Sequence, residues 1–305
     1  MPHAEDHRVK ATLNYYLDPV KGGYESFWFG TVGEKRRPFE CVEVPITDIR
    51  GKGDEFKLDV HGFEYVKERS GLAPEDTENH EKIKQVYYGE CEKLLKRITG
   101  GSRVHIMGHV CRKSNWDKFA EVTKNRGDMD RTPIPTSARY IHVDYSYAGA
   151  ETRLHFYLPH EAHNILSHKT RWAIINIWRP IHPVTRENLT FLDASSIPDT
   201  SLRPVVAKFR RPENHEQLSE VTRKALERND VETWSVARPE KEEGEHRWYY
   251  CKNMMPEEAI VFKIFDSCER EGVARRVPHT AFQCEEDFGE DRQSVELRGL
   301  VLWDE

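Results

Sequence analysis

The sequence predicts a mainly β protein, a sandwich or barrel with helices packed around it. Three observations carry that expectation. From residue 138 onward, runs rich in β-branched and aromatic residues outnumber helical patterns: Arg139 to Tyr145, Trp172 to Arg179, Trp248 to Lys252, Ala259 to Phe265 and Val295 to Trp303. Helical patterns lie between or outside these runs. Finally, 37% apolar and 10% aromatic residues over 305 positions supply a real core, at about the upper size of one folded unit.

Taken in order, residues 11 to 66 hold short β-like runs broken by turns. Tyr24 to Phe29 is aromatic-rich, and Cys41 to Ile46 alternates before Pro45 stops it. Over 78–98 the period changes: Ile83, Val86, Tyr87, Cys91, Leu94, Leu95 and Ile98 recur at steps of three and four, an amphipathic helix ended by Gly100 and Gly101. Val104 to Val110 reads as a strand, and the polar segment 112–132 as a surface loop. His160 to Ser167 is a candidate short helix. Residues 181–211, with several prolines, read as a long connection, and Leu218, Val221, Ala225 and Leu226 as a helix inside 214–229. The charged run Glu240 to His246 reads as a solvated turn.

Charge narrows the function. Lys+Arg 46 against Asp+Glu 52 leaves a net charge of −6, which argues against a nucleic-acid or anionic-membrane binder. Met1 to Asp6 is polar, and Trp172 to Trp178 is far too short to span a bilayer, so a cytoplasmic protein is expected. The six cysteines are scattered without a Cys-x-x-Cys pair, and most are expected to be buried, reduced thiols. No Gly-x-Ser-x-Gly elbow, Gly-x-Gly-x-x-Gly turn or P-loop is present, which disfavours a serine hydrolase and a nucleotide cofactor. His105 and His109, and the group His155, His160, His163 and His168, lack a metal-site pattern that fits their elements.

The sharpest feature is His142-Val143-Asp144. On a strand, positions i and i+2 face one side, so imidazole and carboxylate can converge on one point. They make two thirds of the 2-His-1-carboxylate triad of non-haem Fe(II). His279, in Pro278-His279-Thr280-Ala281-Phe282, is the third candidate, followed thirteen residues on by Arg292 and then Ser294. An Arg and a Ser at i and i+2 can grip the far carboxylate of a dicarboxylic cosubstrate.

This set resembles the Fe(II)/2-oxoglutarate-dependent oxygenases. Asn176-Ile177-Trp178-Arg179-Pro180, Phe265-Asp266-Ser267, Pro278 to Phe282 and Arg292 to Arg298 resemble, more narrowly, the fungal hydroxylase/desaturase family related to gibberellin desaturases and cephalosporin 7α-methoxylase subunits. The resemblance runs from about residue 10 to the end. It implies a double-stranded β-helix, the cupin-like jelly roll, in a single domain over 1–305: a supporting region at 1–135 and a core at 136–305 with an insertion at about 181–245. His142 and His279 lie 137 residues apart, which is what calls for the insertion.

The resemblance further implies Fe(II) held by His142, Asp144 and His279, 2-oxoglutarate as cosubstrate and O2 as oxidant. The expected reaction removes hydrogen from a C–H bond of a small natural-product intermediate and ends in hydroxylation, desaturation or ring closure. Arg292 with Ser294 is the preferred cosubstrate grip, and Arg298 is its rival. Six residues apart on a strand, the two arginines sit roughly 20 Å from each other, so only one can touch a small carboxylate. Asn176 is a further candidate donor to the cosubstrate, and Tyr140, Trp178 and Arg179 are candidate substrate contacts. Partners are limited to a small-molecule substrate and a possible homodimer. The alternative is an iron oxidase or cyclase that works without 2-oxoglutarate on an amino-acid-like substrate.

Overall fold

The computed structural model describes residues 7–113, 116–134, 136–210, 230–240 and 246–304. Its strands are β1 (Arg8–Tyr15), β2 (Ser26–Trp28), β3 (Glu40–Asp48), β4 (Phe63–Lys67), β5 (Arg103–Arg112), β6 (His142–Val143), β7 (Trp172–Pro180), β8 (Leu189–Leu192), β9 (Leu202–Lys208), β10 (Val231–Val236), β11 (Trp248–Tyr250), β12 (Glu258–Asp266), β13 (His279–Ala281) and β14 (Ser294–Leu302). Its α-helices are α1 (Val32–Arg36), α2 (Leu58–His61), α3 (His80–Thr99), α4 (Trp116–Thr123), α5 (Tyr147–Tyr157) and α6 (Ala162–Ser167).

Nine strands form a mixed sheet in the order β1-β3-β11-β8-β13-β6-β10-β9-β2, and five form an antiparallel sheet in the order β4-β12-β7-β14-β5. The sheets share one core: Val143, Phe191 and Val231 of the larger pack with Trp172, Ile174, Trp178, Phe262 and Leu300 of the smaller. Two sheets closed over a common core make a jelly roll.

β7 shows how the two-residue period sorts the layers. Its even-numbered residues Trp172, Ile174 and Trp178 join the inter-sheet core, while Ala173, Ile175 and Ile177 join a second cluster outside the small sheet. α3 covers that outer face with Ile83, Tyr87, Cys91, Leu94 and Leu95. Asn79 caps its start by accepting from the Glu81 and Lys82 N–H groups, and Gly100 ends it at φ +70°. Leu95 is fully buried between α3 and the sheet. Leu95→Ala is therefore expected to destabilise the protein by about 2–5 kcal/mol, read as a lower urea midpoint with an unchanged slope.

Several expectations are corrected. β3 runs through Pro45, which lies one residue before pairing with β11 begins. The segment 112–132 holds a helix, α4, because Trp116 and Phe119 give it a single apolar stripe that buries Phe119. The strand expected over Arg139 to Tyr145 shrinks to two residues, since Ser146 caps α5 by accepting from the Gly149 N–H. Gly149 is required there: a Cβ would stand 2.0 Å from the Glu232 carbonyl oxygen of β10. Residues 181–211 contain β8 and β9, so much of the stretch expected as an insertion at about 181–245 is built into the large sheet. β1 and β3 join the large sheet as well, and β4 and β5 the small one. The helix expected inside 214–229 lies outside the described residues, as do residues 241–245 of the charged run. Of the six cysteines, all reduced, only Cys91 and Cys251 are buried. Among the described residues, no helix is long and apolar enough to cross a membrane.

Candidate metal centre

His142 and His279 are brought together by sheet register. β13 pairs with β6 at the single position His279 opposite His142, and their rings lie 4.4 Å apart. Asp144 follows β6, with its Oδ1 3.4 Å from His142 Nε2. One ligand atom from each of His142, Asp144 and His279 lies within 4.8 Å of the others, the one such group of three among the described residues.

The remaining polar atoms of the three are tied down. His142 Nδ1 is 2.8 Å from the Tyr140 carbonyl oxygen, and His279 Nδ1 is 3.2 Å from that of Val277. A carbonyl only accepts, so each Nδ1 carries the proton and each Nε2 keeps its lone pair for a metal. Asp144 Oδ2 accepts from Arg298 Nη2 at 2.6 Å and from Asn176 Nδ2 at 3.1 Å, which leaves Oδ1 toward the histidines. Burial works to raise the Asp144 pKa, but the neighbouring side chains, led by the Arg298 charge, outweigh it and hold the carboxyl well below its usual range. Burial, with the charge of His142 second, pushes His279 down to about 4. The set is thus one carboxylate and an uncharged imidazole at neutral pH, in the protonation states a cation needs.

Arg298 and Asn176 act behind the carboxylate. Arg298 Nε donates to Asn176 Oδ1 at 3.1 Å and Nη1 to the Tyr145 hydroxyl at 2.8 Å. The two residues face each other across β7 and β14. Each was a candidate for the cosubstrate; in the structure both hydrogen-bond to Asp144 and to one another.

Arg292 differs. It is 4% exposed, lies with its guanidinium carbon 5.5 Å from the Trp178 ring centre and donates from Nη1 to the Glu187 carbonyl oxygen at 2.7 Å. The Glu187 carboxylate is taken by Arg139 and Ser137. Burial pushes Arg292 down to about 10. Nearby, Ser294 Oγ and Trp178 Nε1 are buried with no hydrogen-bond partner. Arg292 and Trp178 share a cleft with the triad, walled by Leu189, Phe262 and Ala281.

Two substrate-contact candidates do not line this cleft. Arg179 has the opposite strand parity from Trp178, so it emerges on the outer face, donates to the Glu68 and Pro256 carbonyls and lies over the Tyr87 ring. Tyr140 is buried with its hydroxyl on Glu34, and its ring leans on His142 with centroids 4.9 Å apart, as packing behind the ligand. Sequence reasoning missed Arg112 and Glu296, an ion pair at 2.7 Å that lines the cleft. Glu296 could have been found by parity, since 292, 294, 296 and 298 alternate along one face.

The chain has relatives along nearly its whole length. The family model described as "Oxidoreductase/YMDC permease-like domain" matches residues 13–302. The chain is 41% identical to the hydroxylase/desaturase CTB9 of Cercospora beticola, over 96% of this chain and 86% of that one. It is 34% identical to the hydroxylase/desaturase efuI of Hormonema carpetanum, over 97% and 96%. A fungal alpha-ketoglutarate-dependent dioxygenase, phiK, is 29% identical over 99% of this chain and 100% of its own. In fold it is similar to the iron and alpha-ketoglutarate-dependent endoperoxidase NvfI, with a TM-score of 0.75 at 21% identity over 98% of this chain and 99% of that one. With two fifths of its residues shared with a hydroxylase/desaturase along nearly its whole length, on a jelly roll, the chain belongs to the fungal hydroxylase/desaturase family of Fe(II)/2-oxoglutarate-dependent oxygenases.

Proposed function

We propose that this oxidoreductase binds Fe(II) through His142 Nε2, Asp144 Oδ1 and His279 Nε2, and uses 2-oxoglutarate and O2 to oxidise a C–H bond of a small natural-product intermediate. The convergence of these three atoms, each with its companion atom already hydrogen-bonded, carries the reading. Two imidazoles and one carboxylate suit Fe(II) and leave positions open to other ligands. When bound, iron and cosubstrate supply the oxidising power drawn from O2.

The chain's own residues position and shield. Arg298 and Asn176 fix the Asp144 carboxylate, so that only Oδ1 is free. Arg292 and the Ser294 hydroxyl, neither matched to a carboxylate within the protein, take the distal carboxylate of 2-oxoglutarate. Trp178, Leu189 and Phe262 wall the cleft and keep water from the reacting centre. Hydroxylation, desaturation and ring closure differ in where these walls hold the substrate.

The test is anaerobic and needs no substrate. Fe(II) and then 2-oxoglutarate are added to the metal-free protein while the visible spectrum is followed. A broad, weak charge-transfer band is expected in the wild type and none in His279→Ala. Stoichiometric iron binding without a band would overturn the cosubstrate assignment in favour of an oxidase in which Arg292 holds a substrate carboxylate.

A further inference from the structure

Around the cleft, buried cations are matched to acids almost one for one. Arg298 pairs with Asp144, Arg112 with Glu296, Lys35 with Glu34 and Arg139 with Glu187. Arg292, without a carboxylate of its own, has the cosubstrate to hold. Arg37 is left over. Its guanidinium is clamped between the Phe27 and Tyr140 rings, at 4.1 and 4.2 Å from their centres, with Phe39 at 5.2 Å. Its Nη1 is buried without an acceptor, and its side chain forms no ion pair or hydrogen bond among the described residues. The nearest acid, Glu34, is saturated by Lys35, the Tyr140 hydroxyl and the Gly30 N–H. A guanidinium nitrogen buried without an acceptor, beside an acid already taken by other donors, is costly to the fold. Such a cost is tolerated where a ligand brings the missing charge.

Position indicates which ligand. Tyr140 touches both residues: its ring centre is 4.2 Å from the Arg37 guanidinium carbon and 4.9 Å from the His142 ring centre. The two distances together put the Arg37 guanidinium within about 9 Å of His142. Arg292, by contrast, reaches the cleft over Trp178. Arg37, Phe27 and Phe39 are each partly exposed, so a molecule entering from solvent can reach them.

We propose that Arg37 anchors a carboxylate of the primary substrate, whose planar or aromatic frame packs along Phe27 and Phe39 while the carbon to be oxidised lies at the metal centre. The proposal rests on the metal-centre reading above. A planar carboxylate fits the planar guanidinium fork, and the aromatic clamp holds that fork in place before the ligand arrives.

The probe pair is 2-naphthoate and its neutral amide, 2-naphthamide, titrated by calorimetry into protein holding Mn(II) and saturating 2-oxoglutarate, which occupies Arg292. Wild type should bind the acid at least about tenfold more tightly than the amide. Mn(II) should broaden the proton resonances of the bound acid. Arg37→Gln should bring the ratio near one while Mn(II) affinity is unchanged, and Arg37→Lys should keep part of the preference. A ratio near one in wild type, no saturable binding of the acid, or a ratio that survives Arg37→Gln overturns the proposal. The wild-type ratio and broadening decide the matter even where Arg37→Gln does not fold. Failure of Mn(II) to bind would instead count against the metal centre, and the acid-to-amide ratio on metal-free protein would still judge Arg37.

Discussion

Asp144→Ala is expected to lose the metal and to cost the protein about 3 kcal/mol of stability. The metal is lost because Oδ1 is the Asp144 oxygen left to complete the cluster with His142 and His279. The stability is lost because Arg298, which donates to Asp144 at 2.6 Å, keeps its charge and loses its counter-anion. Removing one partner of a buried pair typically costs 3–5 kcal/mol; the lower end applies since the Arg298 side chain is 32% exposed. The two effects separate in the double variant Asp144→Ala/Arg298→Met. Replacing both charges by apolar groups should restore most of the thermal stability and none of the metal binding. Melting curves and anaerobic Fe(II) titration of the single and double variants read the two quantities. Full iron occupancy in Asp144→Ala would show that the ligand assignment is wrong.

Arg292→Met should move two measurements in opposite directions. In metal-free protein the buried guanidinium donates to the Glu187 carbonyl and lies over the Trp178 ring, with no salt bridge among the described residues. Replacing it by an apolar chain of similar length should leave the melting temperature unchanged or raise it, by up to roughly 1 kcal/mol of stability. Affinity for 2-oxoglutarate should fall by about 10- to 100-fold, the worth of a charge-assisted hydrogen bond. Fe(II) binding should persist, because Arg292 touches none of the three ligands. The stabilisation that 2-oxoglutarate gives the wild type by mass action should then disappear from the variant's melting curve. A marked loss of stability in the metal-free variant would mean that Arg292 is a structural residue.

The parts legible in the sequence were those written locally. Alternation along Trp172 to Pro180 and the three- and four-residue steps of α3 each follow from neighbours in the chain. The order His142, Asp144, His279, Arg292, Ser294 needed only a resemblance to find. What stayed hidden depends on pairing between distant strands. Arg298 opposes Asn176 from 122 residues away, and nothing near either residue states that both will hold Asp144. β8 has four residues and β6 two, too short for a period to show, yet they flank β13 on either side. α5 buries Gly149, Ala150 and Leu154 with Arg153, a face too small and too polar to register as amphipathic.

The single register contact between His279 and His142 bears on how the molecule is made. During synthesis, β6 leaves the ribosome more than a hundred residues ahead of the strand that completes its site. At about 5–20 residues per second, that is a delay of several seconds or more. Through that interval His142 and Asp144 lack the His279 imidazole, so the three-residue cluster does not exist in the early steps of folding. The contact also spans nearly half the chain, and such high contact order slows the final closure of the sheet. A metal that needs all three side chains is therefore expected to bind only once the barrel has closed, and to stabilise the closed form by mass action.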